Sequence, residues 1–74
     1  MKREDIKVGV RVRSLREADN SYGQVGVIMD NVLPLLWVKF DDDEYNNILV
    51  PSAELGTDVD TRCKACYYKL LEVI

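Results

Sequence analysis

Residues 35 to 47 read LLWVKFDDDEYNN. Leu36, Val38 and Phe40 fall on one side of the opening run. Leu35, Trp37 and Lys39 fall on the other, which is the period of two that marks a β-strand. The run ends in four consecutive acids, Asp41, Asp42, Asp43 and Glu44, and Asn46-Asn47 follows shortly after. Asparagine suits tight turns because it tolerates positive φ and can bond its own backbone. A strand that breaks into an acidic turn points to an antiparallel β domain.

The same signature repeats on both sides. Upstream, VGVRVRSL (residues 8–15) places Val8, Val10 and Val12 on one face and Arg11 and Arg13 on the other, apolar in and basic out. READNSYG (16–23) is a polar loop. QVGVIMD (24–30) is a second strand, whose internal Gly26 signals a bulge or a close backbone approach. Residues 31–34 turn the chain into the run at Leu35. Downstream, Ile48 to Val50 is a fourth strand stopped by Pro51. Residues 51–55 read as one short helical turn, with Pro51 near its start and Gly56 after its end. Residues 56–66 are polar and irregular, a loop insertion that carries both cysteines. YYKLLEVI (67–74) closes the domain as a fifth strand. Its tyrosines, Val73 and Ile74 favour a strand, whereas Lys, Leu and Glu leave a helix as the alternative.

Seventy-four residues make one domain, 1–74. A chain of this size buries only roughly 60% of its unfolded surface, so its core is thin and a partner chain is a reasonable support. The formal net charge is −3, from 10 basic and 13 acidic residues. Non-specific nucleic-acid binding draws on a basic surplus that this chain lacks as a whole. Lys2, Arg3, Lys7, Arg11, Arg13 and Arg16 nevertheless crowd the first 16 residues. No apolar stretch has the length of a signal segment or a membrane span. The expectation is a soluble, cytoplasmic protein without membrane contact, whose two cysteines stay reduced.

The order of pieces resembles the Src-homology-3-like small barrels, in particular the KOW, Tudor and Mib–Herc2 types. The matching residues are Gly9-Val10-Arg11-Val12, Gly23-Gln24-Val25-Gly26-Val27-Ile28 and Trp37-Val38-Lys39-Phe40-Asp41. The resemblance implies an all-β fold, a five-stranded antiparallel barrel with one helical turn. It sets the activity as binding and leaves the ligand open, because barrels of this kind serve many partners.

Chemistry offers few handles. The chain has no histidine, the commonest general base. Ser14, Ser21 and Ser52 lie in no nucleophile motif. No enzymatic activity and no cofactor are expected. Cys63-x-x-Cys66 has the spacing of half a zinc site, but zinc needs four ligands, so only two chains together would complete one. No metal is therefore expected within one chain. The four acids lack the alternation and the glycine of a calcium loop and read as a solvated turn.

Trp37 alternates with the core set and should face outward. In barrels of the kind this chain resembles, aromatics from the two loops holding Tyr22 and Tyr45 line a ligand groove. Trp37, Tyr22 and Tyr45, with Arg11, Arg13 and Lys39 at the rim, form the candidate binding face. The expected function is a protein-interaction adaptor or inhibitor, such as a phage or bacterial accessory protein, with homo-oligomers admitted. The alternative is nucleic-acid or nucleotide binding through the same face in the KOW manner, since cations beside an aromatic suit a single strand.

Overall fold

The computed structural model describes residues 1–74. Six strands form one antiparallel sheet: β1 (Arg11–Ser14), β2 (Val25–Val32), β3 (Leu35–Phe40), β4 (Ile48–Val50), β5 (Thr61–Tyr67) and β6 (Leu71–Val73). The order across the sheet is β4-β5-β3-β2-β1-β6. One helical turn, α1 (Ser52–Leu55), lies between β4 and β5, and 3₁₀ turns occur at Arg3–Asp5, Asp43–Tyr45 and Tyr68–Leu70.

The all-β reading holds, and β3 and β4 fall where the alternation puts them. The strand count changes from five to six. Residues 61–66, read from sequence as part of a loop, belong to β5, which pairs with β3 on one side and β4 on the other. The closing run divides: Tyr67 ends β5, residues 68–70 turn, and β6 begins at Leu71. RCKAC lacks clean apolar–polar alternation because this strand is flanked on both edges and covered in part on both faces. The first strand starts at Arg11 rather than Val8. Gly9, at φ +93°, turns the chain just before it, and Val8 points to solvent.

The pairings leave β4 and β6 as the two ends of the ladder, so no strand pairing closes it into the expected barrel. The sheet is nonetheless strongly curled. Four inter-strand steps separate β5 from β6, about 19 Å on a flat sheet at ~4.8 Å per step. The chain from Tyr67 to Leu71 reaches at most about 14 Å even when extended. Only curling brings the end of β5 beside the start of β6. Two turn contacts hold this closure: Tyr68 N–H donates to Pro34 O at 3.1 Å, and Leu15 N–H donates to Leu70 O at 2.8 Å.

Inside the curl lies the main core of Val12, Ile28, Leu36, Val38, Phe40, Cys66 and Leu71. Each large side chain buried there contributes roughly 1.5–3 kcal/mol. Gly26 sits opposite Phe40, where a Cβ would lie 2.7 Å from Lys39 O and 2.9 Å from Phe40 Cα, so the close approach read from sequence is real. The irregularity in β2 falls slightly later, where the register slips between Ile28 and Asp30.

The outer face has a smaller cover of its own. Val50 and Cys63 are buried yet stand outside the main core cluster. Cys63 pairs with Ile48, two residues from Val50 on β4, and it alternates with Cys66, a core residue three positions along β5. This parity puts Val50 and Cys63 on the Trp37 side of the sheet. The α1 turn lies over that side, and Trp37 Nε1 donates to Glu54 Oε1 at 3.0 Å. Pro51 leads into α1, and Gly56, at φ +67°, ends it.

Candidate functional site

Trp37 faces away from the main core, as the alternation requires. It is partly buried, and its Nε1 donates to Glu54 of α1 at 3.0 Å. Tyr45 does not join it. Its ring packs edge-on against Phe40, with centroids 5.9 Å apart, and it belongs with the main core on the other side of the sheet. Tyr22 is exposed on the loop between β1 and β2. The three aromatics grouped by sequence thus occupy three different settings.

Arg11, Val27 and Lys39 line up across β1, β2 and β3, so the expected basic row exists. Arg11 of this row and Arg13, two residues along β1, are engaged within the chain. Arg11 meets the Asp41 carboxylate through two hydrogen bonds of 2.9 and 2.6 Å, and Arg13 meets Glu72 at 3.0 Å. The Arg11 bond holds the Asp41 carboxyl below the usual range and raises the guanidinium in turn. Lys39 has no ion-pair partner. A phosphate would have to displace carboxylates that already fill two of these forks.

The acidic stretch is structural in detail. Asp41 clamps Arg11. Asp42 accepts from Glu44 N–H at 3.1 Å and starts the 3₁₀ turn, and Asp43 accepts from Asn46 Nδ2 at 3.0 Å. Asn46 is buried and finishes β3: its Oδ1 accepts from Phe40 N–H at 2.8 Å and its Nδ2 donates to Phe40 O at 3.0 Å. The carboxylates diverge, and no three His, Cys, Asp or Glu side chains converge as a metal site would require.

Cys63 and Cys66 lie on opposite faces of β5, because residues three apart on a regular strand alternate. Both are buried free thiols. Burial pushes the Cys63 thiol up and the Cys66 thiol up to about 11. They cannot jointly hold one ion or bridge to each other without refolding the strand. Nor do they present a thiolate pair to a second chain, which removes the basis of the shared zinc site.

A polar chain beneath the β1–β2 loop has the residue types of a catalytic relay. Ser14 Oγ and Ser21 Oγ are 2.9 Å apart, Ser21 Oγ donates to Asp19, and Lys64 Nζ lies 3.5 Å from the same carboxylate. The Ser21 bond, aided by Lys64, lowers the Asp19 pKa. Both serines are only 2% exposed. The network pins the loop to β5 and offers no nucleophile to solvent.

Exposed apolar residues are spread over the surface, Val8, Leu49 and Val59 among them, and one contiguous group lies at the end of the β2–β3 hairpin. Val32 pairs with Leu35 and Leu35 pairs with Tyr67, so three strands contribute one row to the outer face. Their exposures are 51%, 45% and 38%, and Leu33 at the turn adds 39%. Around the corner from this row, Arg3, Leu33, Pro34, Tyr67 and Tyr68 line a cleft of ≈ 280 Å³. The Tyr67 and Tyr68 rings meet edge-on there, with centroids 5.5 Å apart. The sequence reading puts Val32 and Leu33 within the 31–34 turn and Tyr67-Tyr68 at the start of the closing strand, whereas Val32 belongs to β2 and Tyr67 ends β5. Their shared signal is apolar side chains on the polar side of the alternation, together with an apolar hairpin turn.

The fold and this surface define a small all-β protein with an exposed apolar corner. No protein-family model, curated protein or solved structure matches the chain.

Proposed function

We propose that this chain is a non-enzymatic protein-interaction module that docks a partner through the apolar corner at the hairpin end of its sheet. The observation that carries the reading is the exposed row Val32–Leu35–Tyr67, contiguous across three strands and extended by Leu33. Isolated exposed apolar residues are ordinary, but a contiguous patch on a small protein marks an interaction site or an aggregation hazard. Tyr67, at one end of the row, fits the composition of interface anchors. Half-buried Trp37 is the next outward residue on β3 and supports the patch from below. The nucleic-acid reading draws less support, since Arg11 and Arg13 are already paired with carboxylates. The setting this reading assumes is a cytoplasmic accessory or regulatory factor.

Affinity capture at native abundance tests it, with wild type, Leu35→Glu and the distant surface variant Asp58→Asn as baits. Wild type and Asp58→Asn should retain the same partner and Leu35→Glu should lose it. Equal recovery by all three baits refutes the proposal, as does recovery no better than empty resin. Sedimentation of the two forms separates a foreign partner from a second copy: a wild-type dimer dissolved by Leu35→Glu assigns the patch to self-association.

A further inference from the structure

We infer that the cleft between the hairpin turn and the Tyr68–Leu70 turn receives a partner segment in which an apolar side chain stands next to a carboxylate, the carboxylate being held by Arg3. The inference rests on the protein-binding reading above and names the chemistry of the partner.

The size of the cleft sets the first limit. At ≈ 280 Å³ it falls just below the roughly 300–1,000 Å³ range of small-molecule sites, so it suits a side chain or two of a peptide better than a nucleotide. Its walls set the second. Leu33, Pro34 and the two tyrosines supply apolar and aromatic area, with phenol groups able to donate at the edge.

Charge sets the third. Arg11, Arg13 and Arg16 are each within 3.4 Å of a carboxylate of their own chain. Arg3 and Arg62 form no such pair, and of the two only Arg3 lines the cleft; it does not pair even with its neighbours Glu4 and Asp5. An unengaged guanidinium in the wall of an aromatic cleft is complementary to a carboxylate, which it can grip with two parallel bonds. The surroundings reinforce the sign. The Met1 amine donates to Tyr68 O at 3.2 Å and also to Leu71 O, which fastens the amino-terminal segment beside the cleft. Lys2 and Lys69, next to Arg3 and Tyr68 in sequence, are exposed and likewise unpaired. Of the cations without an ion-pair partner, Lys7, Lys39 and Arg62 lie elsewhere in the sequence, while Arg3 lines the cleft and Lys2 and Lys69 are sequence neighbours of its lining residues. These last three would also steer an acidic segment toward the cleft.

The test is an amide NMR titration of the isotopically labelled protein with three acetylated, amidated hexapeptides. One has a Leu-Phe centre flanked by paired glutamates, one has glutamines in their place, and one has lysines. The glutamate peptide should shift the amides of Arg3, Leu33, Tyr67 and Tyr68 and bind at least about tenfold more tightly than the glutamine peptide. Arg3→Glu, whose own spectrum reports whether it remains folded, should lose that preference and favour the lysine peptide. Equal binding of the glutamate and glutamine peptides overturns the inference, as does unchanged affinity in Arg3→Glu or no shift with any peptide at millimolar concentration. A decathymidylate that shifts the same amides more strongly than the glutamate peptide also overturns it. If the peptides fail while a captured partner still depends on Leu35, this inference falls and the interaction reading stands.

Discussion

Replacing Asn46 tests whether the acidic corner is built around one buried amide. Asn46→Ala removes the acceptor for Phe40 N–H and the donor for Phe40 O, and Phe40 is itself only 1% exposed. Each buried group left without a partner costs about 1–3 kcal/mol. Water entering the space vacated by the amide recovers part of that where it finds polar partners. The net loss should be about 2–4 kcal/mol, a large share of the ~5–15 kcal/mol that holds a domain together. Urea unfolding followed by Trp37 fluorescence reads it as a midpoint lowered by about 2–4 M, for a slope of ~1 kcal/mol/M in so short a chain. Asn46→Asp keeps the shape and isolates the chemistry. Its carboxylate would face Phe40 O and the Asp43 carboxylate, so its folded pKa rises above the unfolded value of about 3.9. Relative to wild type, that variant is therefore best below about pH 4 and loses stability as pH rises through its raised folded pKa. A midpoint shift under about 0.5 M for Asn46→Ala, or an Asn46→Asp protein matching wild type at pH 7, would refute this reasoning.

Three further outcomes follow from single contacts. Gly26→Ala should lose about 1–2 kcal/mol in the same urea assay, because overpacking against the Lys39 and Phe40 backbone outweighs the smaller chain-entropy gain; a stabilised variant would mean that the strands part freely there. Asp19 has a depressed folded pKa, so its contribution is present above the unfolded carboxylate pKa and is lost as pH falls through the folded one; carboxyl-carbon NMR should show its titration moving upward in Ser21→Ala, and an ordinary midpoint in wild type would contradict the network. Iodoacetamide at pH 8 should leave Cys63 and Cys66 unlabelled in the folded protein and label both in urea, since only an accessible thiolate reacts; rapid labelling of native protein would contradict their burial.

Alternation carried the sequence reading of the fold, and it failed where a strand is not half solvated. Leu36, Val38 and Phe40 mark β3 because one face meets the core and the other keeps Lys39 in water. In β5 the pattern is lost: Cys63 is buried under the outer layer, Cys66 is buried in the main core, and Lys64 reaches under a loop to Asp19. A strand that carries polar and apolar residues on the same side shows no period of two and passes for a loop. The same oversight made Cys63-x-x-Cys66 look like a pair of ligands. Two residues three apart share a side in a turn or helix, and on a strand they are separated by the sheet. Val8 failed for the opposite reason: it keeps the alternation in phase but precedes the strand, on the far side of the Gly9 turn.

The candidate site was illegible for a topological reason. Its aromatic member was sought in Trp37 because that residue broke phase with its neighbours. On its side of the sheet the ring is partly buried and its Nε1 meets Glu54 of α1. The open surface instead joins Arg3, the hairpin turn at Leu33-Pro34 and the Tyr67-Tyr68 corner, segments roughly thirty residues apart. These meet only because a three-residue turn must carry the chain from one side of a curled sheet to the other. That crossing draws Tyr68 against Pro34 and fastens the amino terminus beside it. A hydrophobic side chain on the solvent side of β3, such as Leu35, is uninformative by itself. It becomes a surface once the register puts Val32 and Tyr67 on either side of it.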